Sequence, residues 1–297
     1  MNKTMNKLSC VILNYNSYDL VKKLVNKIKN YAIFDYILVV DNVSTDNSYA
    51  ELRKTYKSDK KVIVKQTQRN GGYGYGNNFG IKYAYNKLGS EFVLICNPDV
   101  YFEESMVEKL YNFIKKSGAA IVSGVQLLNK KEANNKAWRL PKPYQWVWNE
   151  LGHNSKHSVK DLYYDNNHFK GEASQVECVP GAMLMINAKL FLEVGGYDEN
   201  MFLYCEEETI GSKLKQKGYT TWLLNNAYYD HEHSASIDRV YDNYKQSEFL
   251  HKSKSYVMKN YLNTSLANRL IIKMLFGSIT TKHFIFGKIQ QLKDRKK

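Results

Sequence analysis

The chain has 297 residues, which is enough for one large domain with its own core or for two small ones. Hydrophobic residues make up 43% and charged residues 24%, an ordinary balance for a soluble globular protein. No apolar stretch reaches the roughly 18 to 20 residues of a membrane span, so the composition excludes a transmembrane helix. The net charge of +14 favours polyanionic partners: nucleic acid, an anionic membrane surface or phosphorylated substrates.

The four cysteines are far apart and form neither a CxxC pair nor a zinc-ligand spacing. Cys10 and Cys96 lie inside apolar runs, which predicts buried free thiols in a reducing compartment. The apolar run 8–13 is too short for the core of a signal peptide and predicts a strand. We therefore expect a cytoplasmic protein, with peripheral attachment to the inner face of the cell membrane as the alternative.

Short β-rich runs alternate with segments of helical spacing through the first hundred residues. The predicted strands are 8–13, 36–40, 61–64 and 92–96. A glycine-rich segment, 70–78, follows the third strand and precedes a helix that runs through Ala84. This alternation is typical of βαβ units with a mostly parallel sheet and right-handed crossovers.

Polar turns follow three of these strands directly, at residues 14–17, 41–46 and 97–99. Because the carboxyl ends of parallel strands meet at one edge of the sheet, we expect these turns to lie close together. Ligands bind at that edge in open α/β sheets, so the pattern by itself predicts a binding site there.

The later chain is less regular. Segment 128–170 mixes prolines, lysines and aromatic residues, which predicts a long insertion or a flexible lobe. A helix beginning at Glu206 and ending at Gly218 precedes a strand at 221–224, and the chain from Ser247 onwards predicts further helices. We divide the chain into a main domain, 1–236, with halves 1–127 and 128–236, and a helical extension, 237–297.

Two single carboxylates at strand ends are candidates for ligand binding. Asp41 could accept a hydrogen bond from a pyrimidine N3–H or a ribose hydroxyl, or it could form a turn that caps the next helix. Asp99 could hold a divalent cation between two phosphates, or it could cap the helix that follows. The glycine-rich segment 70–78 lacks the P-loop signature and is a weak signal alone.

Three adjacent acids, Glu206, Glu207 and Glu208, stand at the predicted start of a helix. Acids there favour the positive end of the helix dipole, which is the structural explanation. Three like charges in a row also repel, and a base in a closed site would gain a raised pKa. His231 and His233 alternate further on, and either could ligate a metal or serve packing alone.

Seven of these stretches, in this order, resemble the inverting family 2 glycosyltransferases with the GT-A fold, most closely their rhamnosyltransferase-like branch. The resemblance covers roughly residues 8–236 and implies a Rossmann-like sheet flanked by helices. The matching stretches are 11–17, 39–46, 70–78, 94–99, 181–186, 196–204 and 231–236.

The resemblance also implies roles for individual residues. The residues it places at the nucleotide are Asn14, Asn16, Asp41, Asn42, Ser44, Asn70, Gly72 and Asn77, with Asp41 reading the pyrimidine. Asp99 and His231 match the family's metal site, which implies Mg²⁺ or Mn²⁺ on the diphosphate. Glu207 stands where the family carries its catalytic Asp, after an acid matched by Glu206.

Three positions depart from the family pattern. Asn97 replaces the first acid of the DxD motif, which leaves fewer charges for a metal. Glu207 is one methylene longer than the usual Asp, so Glu206 and Glu208 stay open as alternative bases. Thr209 stands where relatives often have another acid.

The implied function is transfer of a sugar from a pyrimidine-diphospho-sugar, with dTDP-L-rhamnose favoured, to a glycan or lipid-linked glycan of a bacterial surface polysaccharide. A UDP-hexose is the alternative donor. A nucleotidyltransferase would show a basic glycine-rich loop after the first strand, and residues 14–17 have neither feature. A nucleic-acid binder is disfavoured because the lysines are scattered and no recognition motif is present.

The aromatic stretch from Trp138 to Trp148 is a candidate acceptor wall, with packing of a lobe as the alternative. The tail from Leu266 has apolar residues at helical spacing and many lysines. This pattern predicts a basic amphipathic helix that lies on an anionic membrane, or else a face that packs on the main domain or in a homodimer. We expect a chain ending near Thr264 to lose liposome binding and to keep donor binding.

Overall fold

A computed structural model of the chain describes residues 7–150, 161–232 and 241–294, and within them ten strands form one sheet. The strands are β1 (Lys7–Asn14), β2 (Tyr36–Asp41), β3 (Val62–Gln66), β4 (Ser90–Cys96), β5 (Val100–Tyr101), β6 (Ile121–Leu128), β7 (Lys131–Glu132), β8 (Ala173–Val176), β9 (Met183–Asn187) and β10 (Thr221–His231).

Helices flank this sheet and extend beyond it. They are α1 (Tyr18–Ile28), α2 (Ser48–Thr55), α3 (Gly72–Leu88), α4 (Glu104–Ser117), α5 (Pro143–Glu150), α6 (Ala188–Glu193), α7 (Glu206–Gln216), α8 (Asn243–Asn260) and α9 (Leu266–Asp294). The tail is therefore helical, as its spacing predicts. None of the described helices is long and apolar enough to cross a membrane.

The strand order is β3-β2-β1-β4-β9-β6-β10-β5, with β7 paired to β6 and β8 paired to β10. The pairs among β3, β2, β1 and β4 are parallel, which confirms the βαβ units. Beyond them the sheet is mixed, because β9 runs antiparallel to both β4 and β6. An antiparallel neighbour needs no crossover helix.

Apolar side chains alternate between the two faces of the sheet. Ile12 packs with α1 and α4 on one face, and Val11 packs with α3 and α6 on the other. A third cluster lies beyond the sheet and joins α5, α8, α9 and the segment before α7. Its buried members are Trp146, Met201, Cys205, Val257, Met258, Ile272 and Phe276.

The structure corrects the boundaries of two elements. Helix α3 begins at Gly72, inside the glycine-rich segment that the sequence places before a helix. A Cβ on Gly76 would lie 2.3 Å from Leu13 Cδ1, and one on Gly80 would lie 2.4 Å from Val11 Cγ1. These glycines let the helix pack directly on the sheet, which overrides their low helix propensity. Strand β10 also continues past residue 224 to His231.

All four cysteines are buried free thiols, as the sequence predicts. The lobe 128–170 is ordered where the structure describes it. Trp138 forms isolated β-bridges to Tyr163, which lies within the lobe, and to Cys178, which follows strand β8. The second bridge connects the lobe to the chain beyond it. Residues 151–160 and the side chain of Trp148 lie outside the described part.

Candidate active site

Asp41 is the centre of a buried hydrogen-bond network at the ends of β1 and β2. Its Oδ1 accepts from Asn14 Nδ2 at 2.7 Å and from Ser44 Oγ at 2.6 Å. Its Oδ2 accepts from the Ser44 amide at 3.0 Å and from Gln66 Nε2 at 3.0 Å. The carboxylate is fully enclosed, so its charge is stabilised by four donors instead of water.

A second network joins Asn42 to the start of α3. Asn42 Nδ2 donates to Asn70 Oδ1 and to the Gly72 carbonyl, both at 3.0 Å. Gly72 has a φ of +88°, and a Cβ there would lie 1.9 Å from the Phe202 carbonyl oxygen. Only glycine permits this approach, in which the Tyr73 amide donates to that same oxygen at 3.0 Å.

A cavity of about 120 Å³ opens above these networks. Of the eight residues that the sequence places at a nucleotide, Asn42, Asn70 and Gly72 line it. Asn14, Asp41 and Ser44 lie below the lining and fix its loops. The structure does not bring the remaining two of the eight, Asn16 and Asn77, to the cavity. Asn16 bonds to Thr45 on the outer side of the loop, and Asn77 is buried in α3, where it donates to the Tyr73 carbonyl.

Aromatic residues that the sequence reasoning missed complete this cavity: Tyr15, Tyr73, Phe202 and Tyr241. Tyr15 stands in the first polar turn and could have been found there. Tyr241 belongs to the extension and carries no motif, yet its ring meets Phe202 edge-on at 6.2 Å between centroids. Burial raises the pKa of the Tyr241 hydroxyl, which also interacts with Tyr15 and Asn70. The extension is therefore part of the site.

Asp99 and His231 come together because β5 pairs antiparallel with the end of β10. The register places Val100 opposite His231, which brings Asp99 Oδ1 to 3.3 Å from His231 Nε2. On the other side of the ring, Gln126 Nε2 lies 3.1 Å from Nδ1 and orients the imidazole. The sequence reasoning did not include Gln126, which carries no motif on β6. His233, the other candidate ligand, lies outside the described residues.

The Asp99–His231 pair fits a divalent cation that also binds substrate phosphates. In the described residues no group of three or more His, Cys, Asp or Glu side chains forms a protein-only metal site. Mg²⁺ typically takes one or two protein ligands and completes its shell with water and phosphate oxygens. A carboxylate and an imidazole at 3.3 Å supply that number.

The three acids at the start of α7 have different surroundings. Glu207 Oε1 accepts from the Gly181 amide at 3.0 Å, and a Cβ on Gly181 would lie 2.8 Å from that oxygen. Glu208 Oε1 accepts from the Trp138 indole at 3.1 Å. Glu206 is the most buried, and among the described residues its Oε1 has no hydrogen-bond partner.

Burial raises the pKa of all three carboxyl groups. Burial and then the Glu207 charge raise the pKa of Glu206 well above its usual range. Burial raises the pKa of Glu207, against the opposing effect of its own amide and the Gly181 amide. Burial and the Glu207 charge raise the pKa of Glu208 to about 7, while Trp138 and Lys254 oppose the shift. The charges of the three acids interact, so the protonation of one affects the protonation of the others.

The backbone that leads into α7 is strained. Tyr204 and Cys205 have φ angles of 71° and 67°, two consecutive left-handed residues that are not glycine. Such conformations are held by surrounding packing and cluster at functional sites. Cys205 is buried in the third cluster, against α8 and α9, which supplies that packing.

The walls of a larger cavity of about 640 Å³ include the three acids at the start of α7 and the imidazole of His231. Glu206, Glu207, Glu208 and His231 all line it, so the structure brings together residues far apart in the chain. Trp138, Trp146 and Tyr163 form an aromatic side, which places two residues of the predicted acceptor wall at the cavity. Buried Lys254 of α8 lies 5.7 Å from the Trp146 ring centroid.

The two cavities are neighbours, and Tyr73, Asn97 and Leu203 line both. Asn97 is the residue that replaces the first acid of the metal motif. A ligand could therefore extend from the smaller aromatic cavity, past Asn97, to the acids of the larger one. This is the arrangement that transfer from an extended donor to a second substrate requires.

Known proteins resemble this chain in sequence. The hexosyltransferase Agl10 of low-salt glycan biosynthesis in Haloferax volcanii is 25% identical over 289 residues, which cover 92% of this chain and 86% of the relative. The N-acetylglucosaminyl-diphospho-decaprenol L-rhamnosyltransferase of Mycobacterium tuberculosis is 23% identical over 221 residues, which cover 68% of each chain.

The fold also matches a solved glycosyltransferase. The crystal structure of GalNAc-T7 with UDP, GalNAc and Mn²⁺ aligns with a TM-score of 0.62 at 14% identity, over 85% of this chain. The match spans 51% of that protein, about half of its length. At this identity the likeness establishes the fold, and it confirms the predicted GT-A architecture.

The model of the family described as Glycosyl transferase family 2 matches residues 9–188, more than half of the chain. The matched residues include the Asp41 network, Asp99 and Gly181. The chain therefore belongs to glycosyl transferase family 2 and is a glycosyltransferase.

Proposed function

We propose that this glycosyltransferase transfers a sugar, with inversion, from a pyrimidine-diphospho-sugar to a hydroxyl of a glycan or lipid-linked glycan. One observation carries the proposal: Glu207 and His231 line one cavity, which adjoins the smaller aromatic cavity. A candidate base and a candidate diphosphate-binding group then line the same space, where the donor sugar would lie.

The nucleoside half of the donor occupies the smaller cavity. Its aromatic lining suits a base, and Asn42 and Asn70 offer amide groups for the base or ribose. The hydrogen-bond network of Asp41 indicates how this residue contributes to donor binding. Of its donors, the Gln66 amide comes from an exposed residue, so a pyrimidine N3–H replaces this hydrogen bond with the least disruption.

Asp99 and His231 would hold Mg²⁺ or Mn²⁺, and such an ion would neutralise the charge of the diphosphate leaving group. Gln126 keeps the imidazole in place from behind. With one carboxylate instead of two, this pair relies on the diphosphate to complete the metal's coordination. We therefore expect metal to bind more tightly in the presence of donor than alone.

Glu207 is the general base. The Gly181 amide fixes one carboxylate oxygen and leaves the carboxylate directed at the cavity. The acceptor hydroxyl gives its proton to Glu207 as its oxygen bonds to the anomeric carbon. The bond from that carbon to the diphosphate oxygen breaks, and the nucleoside diphosphate leaves with the electron pair. One displacement from the opposite face inverts the anomeric centre.

The acceptor enters along the aromatic side of the larger cavity. Trp138 and Trp146 offer flat apolar faces of the kind that sugars stack on, and Tyr163 adds a hydroxyl. The mycobacterial relative is named for a lipid-diphosphate acceptor. We propose an acceptor of that class, a lipid-linked glycan, which requires the enzyme to work at a membrane surface.

Among donors we favour dTDP-L-rhamnose, with a UDP-hexose as the alternative, because a rhamnosyltransferase is among the relatives. The test is a panel of nucleotide-sugars incubated with the full chain and Mg²⁺ or Mn²⁺. Release of free nucleoside diphosphate from one donor, increased by a lipid-linked acceptor, supports the proposal. Production of pyrophosphate from a nucleoside triphosphate and a sugar phosphate would instead identify a nucleotidyltransferase.

A further inference from the structure

Over the part of helix α9 whose side chains are described, residues 266–279, one face packs on α8. Ile272 and Phe276, one turn apart, are buried in the third cluster with Val257 and Met258 of α8. The Phe276 ring stacks on His251 at 4.5 Å between centroids and 7° between planes. This inner face fixes the position of the helix against α8.

The opposite face of α9 is apolar and exposed. Leu266, Leu270 and Met274 are spaced one turn apart, and Ile271 lies beside them. Their exposed fractions are 65%, 55%, 76% and 57%, and these four are among the six large hydrophobic residues exposed in the described structure. We call these four residues the outer face of α9. A contiguous apolar patch of this kind marks an interaction site.

The charge of the helix indicates what the outer face meets. Between Leu266 and Lys293 the sequence contains no acidic residue and five basic ones. They are Arg269, Lys273, Lys282, Lys288 and Lys293. Lys273 is exposed next to the outer face. The basic tail 295–297, and the side chains of Phe284, Ile285, Ile289 and Leu292 that the sequence adds to the pattern, lie outside the described part.

We propose that the outer face of α9 inserts into the interface of an anionic lipid bilayer, with the helix parallel to the membrane plane. Apolar side chains then enter the boundary between headgroups and acyl chains, and the basic residues contact anionic headgroups. This inference rests on the proposed function only in that a lipid-linked acceptor gives the docking its purpose.

A second copy of the chain fits the outer face less well. Standard protein interfaces use roughly 20 to 30 residues a side, far more than these four side chains. Two copies meeting through α9 would also bring two runs of five basic residues together, and the last residue of each helix, Asp294, is the one acid that α9 carries. The lipid surface supplies the opposite charge and needs no fixed shape.

The inner face connects this docking surface to the catalytic cavity. Ile272 and Phe276 share their cluster with Trp146, an aromatic wall residue, and with Cys205, which directly precedes Glu206. Removing α9 would uncover these side chains, so truncation near Thr264 disturbs the cavity and cannot isolate membrane binding. The expectation that a chain ending near Thr264 keeps donor binding stays a prediction, and substitutions on the outer face test membrane binding without uncovering this cluster.

The experiment uses the full chain and a variant that combines Leu270→Glu with Met274→Glu. The control is Tyr228→Glu, which changes an exposed aromatic residue of β10 away from both cavities. Each protein is sedimented with vesicles of equal parts phosphatidylglycerol and phosphatidylcholine, and with phosphatidylcholine alone. We expect the full chain and the control to bind the anionic vesicles, and the double variant to bind at least about tenfold less.

Equal binding by the double variant, or no binding by the full chain, would overturn the proposal. So would a dimer of the full chain that dissociates in the double variant, measured by sedimentation equilibrium. Release of nucleoside diphosphate from donor without acceptor is measured in parallel, and we expect it to be unchanged by the double variant. Vesicle binding without any donor turnover would refute the proposed function and leave the docking surface standing.

Discussion

The donor end and the acid cluster hold buried carboxylates in opposite ways. Both oxygens of Asp41 are satisfied, because they accept four hydrogen bonds from Asn14, Ser44 and Gln66. Glu206 is equally enclosed, yet it faces the charge of Glu207 and leaves one buried oxygen unbonded. The first arrangement stabilises the fold, whereas the second opposes it.

The difference teaches which carboxylates do chemistry. The four hydrogen bonds of Asp41 connect the ends of β1, β2 and β3, so this carboxylate positions the loops there. A carboxylate whose charged form is disfavoured can take up a proton when one arrives, as a general base must. Substitutions should therefore separate the two regions: changes at Asp41 should lower stability first, and changes at the acids should lower activity first.

The largest expected effect is that of Glu207→Gln. The amide keeps the size of the side chain but cannot take the acceptor proton, so we expect sugar transfer to fall by about 10²- to 10⁴-fold. The free energy of unfolding should stay equal or rise, because a buried charge is removed. The measurements are steady-state turnover and urea unfolding. The control is Glu108→Gln, at an exposed position on α4. Near-normal turnover would move the base to Glu206 or Glu208.

Asp99→Asn should come next. It removes the only carboxylate of the proposed metal pair, so we expect turnover to fall on the order of 10²-fold and the concentration of Mn²⁺ needed for half activity to rise. A chelator should abolish transfer by the native chain, and added Mn²⁺ should restore it. The matched control is Asp230→Asn, one residue from His231 on β10. Equal metal requirements in both variants would remove Asp99 from the site.

Asp41→Ala should act mainly on stability. It leaves the buried Asn14 amide and the Ser44 amide without their acceptor, so we expect unfolding free energy to fall by about 2–4 kcal/mol and donor affinity to weaken. Gln66→Ala removes the exposed donor alone and should change stability by less than about 1 kcal/mol. Urea unfolding and donor titration check both. An Asp41→Ala protein as stable as the native one would contradict the positioning role.

The smallest effect concerns Glu208 and pH. Its pKa is raised to about 7 in the folded chain, so the folded state binds the proton more tightly than the unfolded state. This contribution to stability is complete below about pH 4.5 and is lost as the pH rises to about 7. Glu208→Gln should remove about 3 kcal/mol of that decline. Unfolding curves at both ends of the interval measure it, and identical slopes in variant and native chains would contradict the shift.

The parallel half of the sheet and the convergence of its polar turns were predictable from the sequence. Each strand has a mainly apolar run at its centre, and the polar turns that follow β2 and β4 mark the ligand edge, as at Asp41 and Asp99. The pairing of Asp99 with His231 was not predictable from spacing. It depends on a two-residue strand, β5, that joins residues more than a hundred positions apart, and only the family resemblance indicated it.

The rest could not be predicted because it depends on tertiary packing. Gly76 and Gly80 are helical since α3 must approach the sheet, a constraint invisible in local propensity. Tyr241 and Lys254 reach the two cavities from a segment without any motif. The apolar pattern of the tail is compatible with packing on the protein and with exposure. In the structure, one face of α9 packs and another is exposed.

The hydrogen bond from the Tyr73 amide to the Phe202 carbonyl has a consequence for how this enzyme can change. This hydrogen bond connects the first turn of α3, at the smaller cavity, to Phe202, which is four residues before Glu206. Neither loop can gain or lose a residue independently, because Gly72 leaves no clearance against Phe202. Replacing the loop before α3 with the loop of another enzyme would therefore require residues 202–205 to be replaced at the same time. The two segments must change together.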